Sequence, residues 1–396
     1  MLNNSVVADE RSPVENTASS LRCLQIGIRW RGQGAGGLDR VFFDLCHSLP
    51  KQGVAIHGLV VEPVEAGLST NELIESFTAE DAGYIGRLFG ARRKIDQLLA
   101  TENIDVVAAH FAFHIGTALD RLHDHPLVMH FHGPWAEESA FEGESEVSVF
   151  AKRLIEKYVY RRAERLIVLS NAFRDILVRE YGIAPERICV ISGGVDVDRF
   201  RLRLSRIAAR ETLGWPTDRP ILISVRRMTE RMGLDRLLLA MQTIVKAQPD
   251  VLLMLGGTGH LSESLQKQSK ALGLESHIRF LGFVPDALLP LAYRAADINV
   301  VPSVALEGFG LTAGEALAAG TPSMVTPIGG LPEVVEDLST DLIFASSKPD
   351  DLAAGLVDAI SGAISLPTIE ACESFASRFD LARVAAKTAA IYREVA

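Results

Sequence analysis

From Leu21 to the C-terminus, short apolar runs alternate with amphipathic stretches. Each run is four to eight residues long, rich in Val and Ile, and apolar at consecutive positions rather than at every second one. Strands buried on both faces by helices need that pattern. It predicts strands at residues 21–28, 54–61, 105–110, 126–132, 165–170 and 188–193 in the first half, and at 220–225, 251–256, 277–282, 298–303, 321–326 and 341–345 in the second. Strand and helix taking turns along a chain predicts parallel sheets built from βα units.

At 396 residues the chain is too long for one ordinary core. The expected organisation is an N-terminal Rossmann-like domain over 21–200 and a second over 201–378, joined near 199–206, where no core-forming run occurs. Residues 379–396 read as a closing helix packing back on the N-terminal domain, with Val384, Thr388 and Ile391 at helical spacing. The polar residues 1–20 read as a disordered lead-in without a signal peptide.

Composition narrows the function classes. Hydrophobic content of 48% and charged content of 23% describe a soluble globular protein, and a net charge of −10 speaks against nucleic-acid binding. Four scattered cysteines, Cys23, Cys46, Cys189 and Cys372, suggest a reducing cytoplasm rather than a disulfide framework or zinc site. No apolar run approaches the roughly 20 residues of a membrane span, so membrane contact is expected to be peripheral at most.

In doubly wound sheets ligands bind beyond the carboxyl ends of the strands. The densest chemistry there is at 302–333, where a loop with Glu307, Gly308, Phe309 and Gly310 leads into a helix at Leu311 that Gly320 closes. Glycines that let backbone approach a ligand, ahead of a helix start with free N–H groups, make an anion site. Glu315, one turn into the helix, is placed to reach a vicinal diol, and Glu307 points beyond the phosphate. Arg226, Arg227 and Arg231 follow the strand at 220–225 and offer cations for a phosphate. In the first half Gly34, Gly36 and Gly37 follow the first strand without completing G-x-G-x-x-G, which disfavours a dinucleotide oxidoreductase.

These segments resemble the retaining glycosyltransferases of family 4, which have the GT-B fold of two Rossmann-like domains facing across a cleft. The resemblance rests on Glu307 and Glu315 at E-x7-E spacing, on 280–303, on 192–200 and on 329–333. It implies transfer of a hexose-type sugar, with retention and without a metal or other cofactor, from a nucleotide-diphosphate sugar to a hydroxyl of a glycan or glycolipid acceptor. Glu315 would hold the donor ribose and Glu307 the donor sugar or its phosphate. Backbone from Gly308 to Leu311 would contact the diphosphate, and Phe283 and Val284 would lie against the base. Arg227 takes the family's Arg place, Met232 falls where the family has Lys, and Arg231 is the expected substitute. Gly36 and Gly37 would face the diphosphate and acceptor, with His132 as the cleft histidine and His110 a weaker second. A sugar-nucleotide epimerase of the same architecture, and a catalytically silent sugar-nucleotide-binding subunit, are the rival readings.

The stretch 152–166 carries Lys152, Arg153, Lys157, Arg161, Arg162 and Arg165 around an apolar set of Leu154, Ile155, Tyr158 and Val159. One reading is a helix on the inner face of the cell membrane, where lipid-linked acceptors lie. The other, a solvated face over a core stripe, is the more common arrangement. Six histidines between His110 and His132 have no metal-ligand spacing or acidic partner, so no metal site is expected.

Overall fold

The computed structural model describes residues 21–30, 36–61, 72–79 and 82–396. Gly34 lies outside them. Seven strands form the N-terminal sheet: β1 (Leu21–Ile26), β2 (Val54–Val60), β3 (Glu72–Ser76), β4 (Val106–Ala109), β5 (Leu127–Phe131), β6 (Arg165–Val168) and β7 (Ile188–Val190). Their order is β3-β2-β1-β4-β5-β6-β7. Five form the second sheet: β8 (Ile221–Val225), β9 (Leu252–Gly256), β10 (Ile278–Gly282), β11 (Ile298–Val301) and β12 (Ser323–Val325), in the order β10-β9-β8-β11-β12. Every pairing in both sheets is parallel. Strand order reverses between β1 and β4 and again between β8 and β11, and ligands of such sheets bind at these switch points.

The consecutive apolar residues do what two-sided burial requires. Leu24, Ile26, Val107 and Ala109 point to one face of the first sheet and Cys23, Val106, Ala108 and Val128 to the other, each face covered by its own core cluster. Two sequence expectations fail. Residues 341–345 do not form a strand: a 3-10 turn over Thr340–Leu342 is followed by a single parallel bridge, Val325 to Ile343. Leu342 and Phe344 are apolar because they enter the core, not because they pair. Conversely, β3 has a polar edge sequence with no apolar run, and its Glu75 takes an ion pair from Lys94 at 2.5 Å and a bond from His57 at 2.9 Å.

Chain from the second domain returns to the first. Val195 donates to the Phe379 carbonyl at 2.8 Å and accepts from the Leu381 amide at 3.0 Å, and the helix Leu381–Val395 then lies on the N-terminal sheet. Its Val384, Ala389 and Tyr392 join the core face of Cys23 and Val106, beside the helix Gly37–Ser48. The domains also meet at Glu333. Its carboxylate accepts from the Asn171 amide at 2.9 Å, the Ala172 amide at 3.0 Å and the Asn171 side chain at 3.0 Å, so a residue of the second domain caps the helix Asn171–Tyr181 of the first. A carboxylate there also opposes the helix dipole. Glu333→Ala is expected to cost about 0.5–2 kcal/mol of stability, as lost caps do; an unchanged urea midpoint would show that the contact does not hold the domains.

Candidate active site between the domains

The two switch points face one another across a cleft of about 500 Å³. The second-domain wall begins where β11 ends. Gly310 takes φ 83° and caps the helix Leu311–Ala318 with no side-chain bond to its first turn, which leaves the opening N–H groups for a ligand. The loop before it is held from behind by the turn at Gly329 and Gly330. Gly330 donates to the Glu307 carbonyl at 2.9 Å, and Gly329, at φ 57°, has no room for a Cβ, which would sit 2.0 Å from that oxygen.

The three arginines after β8 divide the work. Arg226 is buried and ion-paired to Glu307 Oε2, which also accepts from Ser303 Oγ at 2.8 Å. Burial by itself would raise the Glu307 carboxyl, but Arg226, Ser303 and Arg231 outweigh it and hold the group below its usual range. Its second oxygen, Oε1, is engaged by none of these partners. Arg231, also buried, donates to the Leu306 carbonyl at 2.8 Å and pairs with Glu138 of the first domain at 3.3 Å. Leu306 sits in the left-handed region at φ 51°, a conformation costing about 1 kcal/mol or more in a non-glycine residue, and Arg231 helps fix it. Arg227 is exposed, lines the cleft, and its guanidinium has no hydrogen bond or ion pair among the described residues. Met232 is buried with its sulfur 3.2 Å from Arg226 Nε, and Arg231 beside it lines the cleft.

Glu315 does not open to the cleft. Its carboxylate is buried against Arg40 of the first domain at 2.8 Å, and Tyr293 Oη donates to it at 3.5 Å. Burial raises its pKa against the pull of Arg40 and Arg199. Phe283 and Val284 follow β10 outside the cleft lining; Phe283 is 48% exposed and Val284 packs on the second-domain core.

Gly36 and Gly37 line the opposite wall, where Asp39 accepts from the Gly36 amide at 2.9 Å and the Arg29 amide at 3.2 Å. His110 and His132 line it too, and their rings join a stack with His130. His110 and His130 lie 4.2 Å apart at 4°, and His110 Nδ1 is 2.9 Å from His132 Nε2. Burial pushes His130 and His132 down to about 3 and His110 well below its ordinary value, so all three rings are neutral at physiological pH. Among the described residues, no three His, Cys, Asp or Glu side chains are grouped to hold a metal ion.

Sequence reasoning missed the partners that cross the cleft or the chain: Glu138 for Arg231, Arg40 for Glu315, and Gln25 and Tyr392 behind the histidines. Glu138 sits in an acidic run with no readable motif, and only the fold brings it to Arg231.

Two facing parallel-sheet domains with this cleft define the GT-B fold, and known proteins share it. The fold is that of sucrose-phosphate synthase from Thermosynechococcus elongatus, at TM-score 0.81 and 20% identity over 95% of this chain and 99% of that one. It is also that of the Anabaena protein HepE in complex with UDP-glucose, at TM-score 0.76 and 20% identity over 95% and 100%. Residues 205–376 match the glycosyl transferases group 1 family and residues 35–199 glycosyltransferase family 4. The chain is 30% identical to D-inositol 3-phosphate glycosyltransferase of Streptomyces scabiei over 82% of its own length and 78% of the relative's. It is 37% identical to D-inositol 3-phosphate glycosyltransferase 2 of Catenulispora acidiphila over 61% of its length and 58% of the relative's. The chain belongs to the group 1, family 4 glycosyltransferases.

The depressed histidines make a linkage prediction. Between the unfolded value near 6.5 and folded values of about 3 for His130 and His132 and about 4 for His114, the unfolded chain binds protons that the folded one does not. Stability is therefore fully present above pH 6.5 and falls with pH below it, by up to about 1.4 kcal/mol per unit for each group. The urea midpoint is expected to drop between pH 7.5 and 5.5, and His114→Leu to lessen the drop; a variant as acid-sensitive as the parent would contradict the assignment.

Proposed function

We propose that the protein transfers a hexose-type sugar, with retention, from a nucleotide-diphosphate sugar to a hydroxyl acceptor. One observation carries this reading: an amide-lined helix start and an unpaired guanidinium, Arg227, share a wall of the cleft whose other wall presents His132. The diphosphate sits at the amides from Gly308 to Leu311, with Arg227 and Arg231 meeting the charge that grows on it as the sugar departs. Glu307, ionised and held through Oε2, keeps Oε1 for a sugar hydroxyl. Glu315 takes the ribose diol, which requires Arg40 to share or leave that carboxylate. Phe283 and Val284 flank the base, and Gly36 and Gly37 close over the diphosphate from the opposite wall. Family membership supports retention, through an oxocarbenium-like transition state and attack on the leaving-group face. The HepE structure with UDP-glucose supports a nucleotide-sugar donor.

The acceptor we favour is lipid-linked, met at the cytoplasmic membrane surface. The helix Glu146–Arg162 supports this, through only half of the apolar set read from sequence. Val159 and Ile155 turn inward, while Leu154 and Tyr158 continue an outward stripe with Val147 and Phe150, all more than half exposed. Glu156 is buried, capping Trp135 and Ala136, so the outer face is more basic than the sequence count suggests. The Lys157 and Arg161 side chains have no partner among the described residues, and Tyr84, Ile85 and Phe89 are exposed on the helix Tyr84–Thr101, which like Glu146–Arg162 packs on the short helix Ala112–Gly116. Aromatic and basic side chains together suit an anionic bilayer. The names of the relatives favour a second acceptor, a phosphorylated inositol. Product formation with each acceptor separates the two, and isomerised donor formed without acceptor would point to an epimerase instead.

Arg227→Ala is expected to lower turnover about 10- to 100-fold while changing donor affinity less, because the leaving-group charge matures in the transition state. Glu315→Ala should weaken donor use by a similar factor through lost binding. Equal losses in turnover and donor affinity for Arg227→Ala, or unchanged affinity for Glu315→Ala, would remove that residue from its role. In vesicle sedimentation, a Phe150→Ser, Leu154→Ser double variant is expected to bind anionic lipid about tenfold less tightly; equal binding by parent and variant would leave the acceptor assignment without its surface.

A further inference from the structure

The catalytic proposal uses one histidine of three and leaves a buried polar chain behind it unexplained. Gln25 stands in the middle of β1, fully buried among apolar strand residues, where an unbonded carboxamide would be costly. Its oxygen faces His110 Nε2 at 3.2 Å and Cys46 Sγ at 3.9 Å, and its nitrogen faces Tyr392 Oη at 3.3 Å. Tyr392 in turn lies 2.7 Å from His130 Nε2.

We infer that Gln25 and His110 are positioning residues that fix the tautomer of His132, so that its Nδ1 stands unprotonated as a hydrogen-bond acceptor for a hydroxyl in the cleft. With the Gln25 carboxamide oxygen turned to His110 and Cys46, the chain of donors fixes this. A carboxamide oxygen only accepts, so His110 Nε2 carries the proton. A neutral imidazole has one N–H, so His110 Nδ1 is the acceptor. His132 Nε2, 2.9 Å away, therefore donates, and the His132 proton is on Nε2. Nδ1 keeps its lone pair and has no partner among the described residues. Tyr392 receives the Gln25 amide proton and gives its own to His130 Nε2, which places the His130 proton on Nδ1.

The parallel stack keeps the chain neutral. His110 lies 4.2 Å from His130 and 5.1 Å from His132, ring to ring, so a proton added to any one of them is repelled by its neighbours' N–H groups and has no carboxylate in the network to offset it. His132 is thus confined to accepting: it can orient a sugar or acceptor hydroxyl by that group's own proton, and cannot donate to the diphosphate. Tyr392 belongs to the closing helix, so the last element of the chain completes a network whose other end opens on the cleft.

The inference about substrate contact rests on the proposed transferase reading, but the tautomer does not, and it is measured directly. In protein labelled with ¹⁵N-histidine, long-range ¹H–¹⁵N ring spectra at neutral pH, assigned with His132→Asn, are expected to show His132 in the Nε2–H form. A His132 protonated on Nδ1 overturns the inference, whatever reaction the protein performs. Gln25→Met removes the acceptor and frees His110 to reverse its tautomer. His132 should then shift towards Nδ1–H, and turnover should fall about tenfold with nucleotide-diphosphate affinity changed less than about twofold. His110→Phe, which keeps a ring in the stack and removes the acceptor nitrogen, should give the same tautomer shift. If both variants leave His132 in its parental form, Gln25 and His110 do not position it.

Discussion

The seam between the domains is built from ionisable groups that burial makes costly unless each finds its partner on the opposite side. Arg231 of the second domain meets Glu138 of the first, and Glu315 of the second meets Arg40 of the first. Removing one member of such a pair leaves a buried charge uncompensated, typically at about 3–5 kcal/mol, far more than the net worth of the pair. The pairs therefore specify how the two sheets face each other more than they add stability, and that arrangement turns two switch points into one cleft. Glu333, at the start of the helix Asn171–Tyr181, and the closing helix, behind the N-terminal sheet, reinforce the same register.

Within this frame the second-domain wall is preorganised. Ser303 and Arg226 hold Glu307 ionised, Arg231 fixes the strained carbonyl of Leu306, and the turn at Gly329 supports the loop from beneath. Fixed charges and amides aimed at a developing diphosphate need little reorganisation when the bond breaks. Around His132 the facing wall supplies the contrast: three neutral imidazoles backed by a glutamine, with no charge among the four.

Much of this was legible in the sequence, for identifiable reasons. Strands apolar on both faces announce covered parallel sheets, and Glu307, Gly310 and Glu315 lie close enough in sequence for one loop and one helix turn to place them. What local pattern could not settle was direction. Arg226 and Arg227 are neighbours at a strand end, and only the fold decides that one turns inward to Glu307 while the other stays exposed. The helix Glu146–Arg162 shows the same limit, since the outward stripe through Val147 and Phe150 begins before the basic run that drew attention. Polar edge strand β3 and the core-filling residues 341–345 misled because apolarity reports burial, and pairing only through it. Gln25 and Tyr392 stand 367 residues apart, and no spacing rule connects them.

The central claim is that a pyrophosphate binds at the turn from Gly308 to Leu311. A crystal structure with a nucleotide-diphosphate sugar tests it most directly. The account predicts phosphate oxygens on those backbone amides, Arg227 swung onto the diphosphate, and the ribose at Glu315 with Arg40 displaced or shared. A nucleotide bound elsewhere in the fold, with Arg227 still in solvent and the Arg40–Glu315 pair untouched, would contradict it.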